Sequence, residues 1–144
     1  MPDVTRQQLL ESLDQGWGMY AARFHQLSTS EQATFLQQQG YARLADLLAH
    51  VTAWWSEGIP AVERMLTDAA YRSPDVDVDA FNARAVAAAA ERSEADVLAA
   101  FDSTRRAFRA LVQRLPETAF KDKRIQWRLH IEIIGHLEEH DLPA

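Results

Sequence analysis

The stretch Ile125-Gln126-Trp127-Arg128-Leu129-His130-Ile131-Glu132-Ile133-Ile134-Gly135-His136-Leu137-Glu138-Glu139-His140 decides the fold. Ile125, Leu129 and Ile133 recur at steps of four, so they line one side of a helix, and His136 and His140 continue the same row. A row of that length has to lie against other helices, and Asp122 is its expected cap. Trp127, Ile131 and Ile134 cover a second face, which predicts that this helix is the most buried of the chain. His136 and His140 then point inward, where an unpartnered imidazole is costly to desolvate.

Moving outward, the chain reads as helix throughout. Five glycines and five prolines in 144 residues leave little turn chemistry and no sheet signal. Leu9/Leu10, Leu13, Trp17, Tyr20, Phe24 and Leu27 form one apolar stripe of about five turns, in which Gly16 and Gly18 either let another backbone approach closely or, the favoured reading, are merely tolerated. Ser28-Thr29-Ser30-Glu31 marks a stop and a new cap, and Gln37-Gln38-Gln39-Gly40 closes a short helical turn. From Arg43, the residues Leu44, Leu47/Leu48, Val51, Trp54/Trp55, Val62 and Met65/Leu66 repeat at helical spacing. Gly58 and Pro60 interrupt them, which predicts a kink near Ser56 or two helices meeting there.

Tyr71 to Asp79 reads as the one long loop, with Asp79 capping a helix from Ala80. Its alternating aspartates lack the glycine and closing glutamate of a calcium loop. Ser93-Glu94-Ala95-Asp96 resembles a capping box, and Val97, Phe101, Thr104, Phe108, Leu111/Val112 and Leu115 form a further stripe ended by Pro116. Four long amphipathic helices, the second one kinked, with one crossover loop make an all-α four-helix bundle in a single domain, 1–144. The composition agrees, with 47% hydrophobic and 25% charged residues.

Charge and composition exclude several classes of partner. Fifteen Lys+Arg against 21 Asp+Glu give a net charge of −6, the wrong sign for a nucleic-acid surface. The short cluster Lys121-Asp122-Lys123-Arg124 reads as a solvated turn. No stretch approaches the ~20 apolar residues of a membrane span, and the polar start Met1-Pro2-Asp3-Val4-Thr5-Arg6-Gln7-Gln8 lacks the apolar core of a signal peptide. The default expectation is a cytoplasmic protein with no nucleic-acid or membrane partner. The absence of cysteine removes disulfides, thiolate metal ligands and a cysteine nucleophile.

The chemistry centres on three histidines. Two imidazoles four residues apart on a helix converge on one ion, and a third ligand must come from elsewhere. His50, in Leu47-Leu48-Ala49-His50-Val51-Thr52-Ala53-Trp54, sits at the edge of its helix's apolar stripe and is the best candidate. Three imidazoles with an open position suit zinc, and nickel or iron also accept them. An ion so held acidifies a water molecule toward a pKa of about 7. Asp46 and Glu132 lie one turn before His50 and His136, and Glu57 two turns after His50. These three are the candidate catalytic carboxylates that would orient a ligand or relay a proton. The bland alternative is that hydrogen bonds alone satisfy the histidines. His136-Leu137-Glu138-Glu139-His140 also fits H-x-x-E-H, but nothing else here matches that zinc-protease family and the reading is rejected. His25 and His130 read as ordinary helical histidines, the latter facing away from the pair.

The His50 segment on the second helix, with His136 and His140 closing the fourth, resembles the DinB-like superfamily. Phe81-Asn82-Ala83-Arg84, the segment from Ser93 to Leu115 and the histidine-rich last helix look like its ClbS/DfsB branch. The resemblance spans essentially the whole chain. It implies a four-helix bundle, a homodimer, a three-histidine metal site, and detoxification or stress chemistry on a small-molecule substrate. Some members of that branch lack the full histidine set, so keeping all three fits the wider superfamily better. Three functions stay open at this level. They are a metal-dependent hydrolase or thiol transferase acting on a small electrophile, a non-catalytic protein that sequesters such a compound, and a structural bundle with no metal.

Overall fold

The computed structural model describes residues 3–144; Met1 and Pro2 of the polar N-terminal stretch lie outside the described residues. Among these, every regular element is helical and there is no strand. Among the described residues, no helix is long and apolar enough to cross a membrane.

Helix α1 (Arg6–Glu11) starts at a capping box in which Thr5 and Gln8 satisfy each other's backbone N–H groups. It runs into a π-helical segment, Ser12–Trp17, and after Gly18-Met19 continues as α2 (Tyr20–Gln26). At Gly16 and Gly18 the structure favours close approach over mere tolerance, and at Gly18 the neighbour is the backbone carbonyl of Asp14. A Cβ on Gly16 would overlap the side chain of Leu137, so the missing side chain lets the last helix approach. Ser28 and Glu31 form the box that starts α3 (Thr29–Gln39), and Gly40, at φ 83°, ends it in the left-handed conformation.

Helix α4 (Leu44–Thr67) is one element of 24 residues that passes unbroken through Gly58 and Pro60, not two helices meeting near Ser56. Twelve of its residues are buried, among them Leu47, Leu48, Val51, Trp55 and Val62. Tertiary packing on that scale outweighs the one hydrogen bond that proline removes. Residues 68–77 lead to α5 (Val78–Ala90). Its cap is Asp77, whose Oδ1 accepts from Ala80 N at 3.1 Å, rather than the expected Asp79. Asp79 lies in the first turn, where its charge suits the helix dipole.

Ser93 caps α6 (Glu94–Arg114) by accepting from Asp96 N. A 3₁₀ turn (Glu117–Lys121) leads to α7 (Lys123–Leu129), capped by Asp122 as expected. A second π-helical segment, His130–Gly135, joins α7 to the short α8 (His136–Glu139). Helix α4 packs along α6, α5 and α7, and α1 packs on α6. The centre is aromatic. Trp17 meets Trp55 edge-on at 5.4 Å, and Trp55 stacks on Phe101 at 5.5 Å.

Two further expectations are corrected. Ile125, Leu129 and Ile133 are buried, but Trp127 and Ile131 are 55% and 40% exposed, so the last helical run has one buried side rather than two. Arg124 is no solvated cation. Its guanidinium donates to the carbonyls of Met65, Asp68 and Tyr71 and pairs with Asp122, closing the C-terminal end of α4.

Candidate metal centre

The fold brings together the three histidines that the sequence singled out. The ring centroid of His50 lies 5.3 Å from that of His136 and 5.2 Å from that of His140, and the last two are 6.0 Å apart. All three residues are buried. Tyr41, from the turn between α3 and α4, closes one side, with its ring 5.9 Å from His50 and 6.4 Å from His140.

Each ring is held by its Nδ1. For His50 the partner is Asn82 Oδ1 on α5, at 3.0 Å. For His140 it is Gln39 Oε1 at the end of α3, at 2.7 Å. For His136 it is the backbone carbonyl of Glu132, at 2.9 Å. That carbonyl is available because of the π-helical segment. The N–H of His136 reaches back five residues to Ile131 O and leaves Glu132 O without its α-helical partner. Glu132 O also accepts from Trp55 Nε1 at 2.8 Å, and the next carbonyl, Ile133 O, accepts from Trp17 Nε1 at 2.9 Å. Tyr20 donates its hydroxyl to His140 O. The turn that sets the two C-terminal imidazoles is therefore pinned from three sides.

With Nδ1 occupied in every ring, Nε2 is left for another partner, and His140 Nε2 is buried with no hydrogen-bond partner. Burial, first, and the neighbouring rings, second, hold His50 down to about 4 and His140 down to about 3; burial also lowers His136. The imidazoles are thus neutral at ordinary pH, which is the form that binds metals.

Among the described residues, no group of three or more His, Asp or Glu side chains is placed so that it could hold a metal ion as it stands. The ring spacing still fits an ion. With Zn–N of about 2.0–2.1 Å, imidazole ring centres sit about 3.2 Å from the metal and about 5.3 Å apart at tetrahedral angles. Two of the three separations match that figure. The His136–His140 gap, at 6.0 Å, is wider.

The three candidate carboxylates separate. Glu132 is 3% exposed; its Oε2 accepts from Arg128 Nε at 3.2 Å and its Oε1 lies 3.7 Å from His136 Nδ1. Burial, partly offset by Arg128, raises its carboxyl to about 7. Asp46 does not join the site: it accepts from the backbone N–H and guanidinium of Arg43 at the start of α4. The same guanidinium reaches Ala89 O and Arg92 O, so the pair fastens the end of α5 to α4. Glu57 is exposed and lines a cavity of about 280 Å³ with Trp54, Tyr71, Asp75, Val76 and Arg128.

Sequence reasoning missed Asn82, Gln39, Tyr41 and the Glu132 carbonyl. Gln39 ends α3 and Asn82 lies in the second turn of α5, and neither carries a local signal, because only the tertiary fold pairs either with a ring. His130 does face away from the pair, beside a separate cavity near Glu11 and Glu138, and its Nδ1 is buried without a partner. His25 is exposed next to Phe24. No protein-family model, curated protein or solved structure matches this chain.

Proposed function

We propose that the chain is a DinB-like four-helix bundle in which His50, His136 and His140 hold one divalent ion, zinc or nickel, with iron accepted by the same donors. On this reading α1–α2, α4, α6 and α7–α8 are the four long members, and α3 and α5 are short additions. The observation that carries the proposal is the meeting of three buried, neutral imidazoles from two distant segments, each anchored through Nδ1, with His140 Nε2 lacking any partner. A buried lone pair left unpaired is costly, and a cation offsets that cost.

The activity proposed is that of a hydrolase or thiol transferase working on a small electrophile. A bound ion with an open position supplies Lewis acidity to a water, a thiol or the electrophile itself. The chain's own residues do the rest. Asn82, Gln39 and the Glu132 carbonyl hold the rings, and Trp17 and Trp55 keep the π-helical segment in place. The Glu132 carboxyl, at about 7, is the group beside the site that holds or releases a proton near neutrality. The cavity beside Trp54 and Arg128 lies one to two turns along α4 from His50 and is the proposed seat of the small molecule. The proposed homodimer would cover the exposed Trp127 and Ile131.

Elemental analysis of protein purified without a histidine tag tests the site. Near-stoichiometric divalent metal, lost in His136→Ala while the helical circular dichroism signal remains, is expected. Metal-free protein that takes up no zinc, nickel or iron on titration overturns the reading. Turnover then separates an enzyme from a sequestering protein, because a binder protects against one equivalent of electrophile and an enzyme against many.

A further inference from the structure

The partners of the three rings differ in kind, yet each dictates the same proton position. Glu132 O is a carbonyl and can only accept, so the atom 2.9 Å away, His136 Nδ1, must donate. The other two partners are side-chain amides, whose oxygen and nitrogen could exchange places, and each is oriented by a third group. Trp54 Nε1 is a donor only and lies 2.7 Å from Asn82 Oδ1. An oxygen is thereby required on that side of Asn82, and the same oxygen faces His50 Nδ1 at 3.0 Å. Gln39 turns its nitrogen toward Glu139 O, at 3.4 Å, which leaves its oxygen against His140 Nδ1 at 2.7 Å. None of these orientations depends on an ion.

We propose that Asn82 and Gln39 are positioning residues that, together with the Glu132 carbonyl, lock all three clustered imidazoles in the Nδ1–H tautomer and leave each Nε2 with a free lone pair. Trp54 acts one step further out, by fixing the amide of Asn82. The inference deepens the metal reading above and rests on it for its purpose, but not for its geometry. Free imidazole side chains in water favour the opposite tautomer, with the proton on Nε2. A site without the lock would have to move a proton between ring nitrogens at each position before an ion could bind. The lock removes that step, and it accounts for a buried Nε2 on His140 with no hydrogen to donate and none to receive. It also assigns a task to α5. Asn82 carries the acceptor for His50, and Phe81 beside it packs on Trp54 with ring centroids 4.2 Å apart. Docking of α5 on α4 thus sets the tautomer of a ring on the other helix.

The test is long-range proton–nitrogen correlation on full-length protein labelled with ¹⁵N-histidine and freed of metal by chelation, above the pH at which free imidazoles titrate. The wild-type protein should show His50, His136 and His140 as Nδ1–H. In Asn82→Leu, His50 should change to Nε2–H or a mixture while His136, held by backbone, stays as it is. Gln39→Leu should do the same to His140 alone. Asn82→Asp, which keeps an acceptor, should restore the His50 signature. In Trp54→Phe the freed amide should turn and yield a mixture at His50. Zinc affinity, measured by competition with a chromogenic chelator, should fall by roughly 10–100-fold in each leucine variant. Nδ1–H rings in a protein that binds no zinc would uphold the lock and refute the metal reading. A His50 proton on Nε2 in the wild type, or one still on Nδ1 in Asn82→Leu, would overturn the lock whatever zinc does.

Discussion

Gly58 on α4 and Glu132 on the π-helical segment share one space: a Cβ built on Gly58 would stand 2.7 Å from Glu132 Oε2. The carboxylate cannot retreat easily, being buried and held by Arg128. Alanine in place of a helical glycine ordinarily gains about 1 kcal/mol. At Gly58 the overlap should cost about 1–3 kcal/mol, so Gly58→Ala is expected to be destabilising on balance. Gly135 is the matched control, because a Cβ there meets nothing closer than 3.5 Å. Urea unfolding of the two variants should therefore give shifts of opposite sign.

Metal-free protein should lose stability on the acid side. His50 and His140 titrate near their ordinary 6.5 in the unfolded chain but near 4 and 3 when folded, so below pH 6.5 the unfolded state binds more protons. Stability contributed by these groups is complete above 6.5 and falls as pH drops, by up to about 1.4 kcal/mol per pH unit per histidine. Glu132 works in the other direction. Its carboxyl is raised from 4.5 to about 7, so the folded state holds the extra proton and stability falls as pH rises through that interval. Two histidines, half titrated in the unfolded chain at 6.5, outweigh one glutamate until about pH 7, where both effects fade together. Denaturant midpoints taken in chelator should therefore rise with pH and level off at about pH 7, and Glu132→Gln should steepen the rise by removing the group that opposes it.

Arg124 gives the clearest surface-to-core prediction. Its guanidinium satisfies three carbonyls at the end of α4 and the stretch after it, with Asp122 alongside. Arg124→Ala should cost about 2–3 kcal/mol, since hydrogen bonds to a charged group are worth about 1.5–3 kcal/mol. Arg124→Lys should recover little of it, because a point charge cannot span three acceptors as the planar fork does. Hydrogen exchange should show the loss first as faster exchange at the Asp68 and Tyr71 amides, both bonded to backbone carbonyls there.

These cases show what could be read from sequence and why the rest could not. The row Ile125–Leu129–Ile133–His136–His140 was legible because burial follows helical period, and His50 was legible because it sits on the margin of an apolar stripe. The π-helical segments were not, since one widened turn leaves apolar spacings of three and four intact. Trp127 and Ile131 were misjudged because periodicity reports a face but not whether a neighbour covers it. Asn82 and Gln39 were invisible for a simpler reason: their roles lie 32 and 101 residues away in the chain, and no local pattern encodes a partner at that distance.

The two central indoles have a practical consequence. Trp17 and Trp55 are almost wholly enclosed and bond to successive carbonyls just ahead of His136, whereas Trp127 stands in solvent. Emission from the enclosed pair is therefore expected to be blue-shifted and sensitive to displacement of that turn, and emission from the outer one to be red-shifted and open to aqueous quenchers. With Trp54 and Trp127 both replaced by phenylalanine, only the enclosed pair emits, and the protein becomes its own optical gauge, reporting without any attached dye whether the stretch of chain beneath the imidazoles has moved.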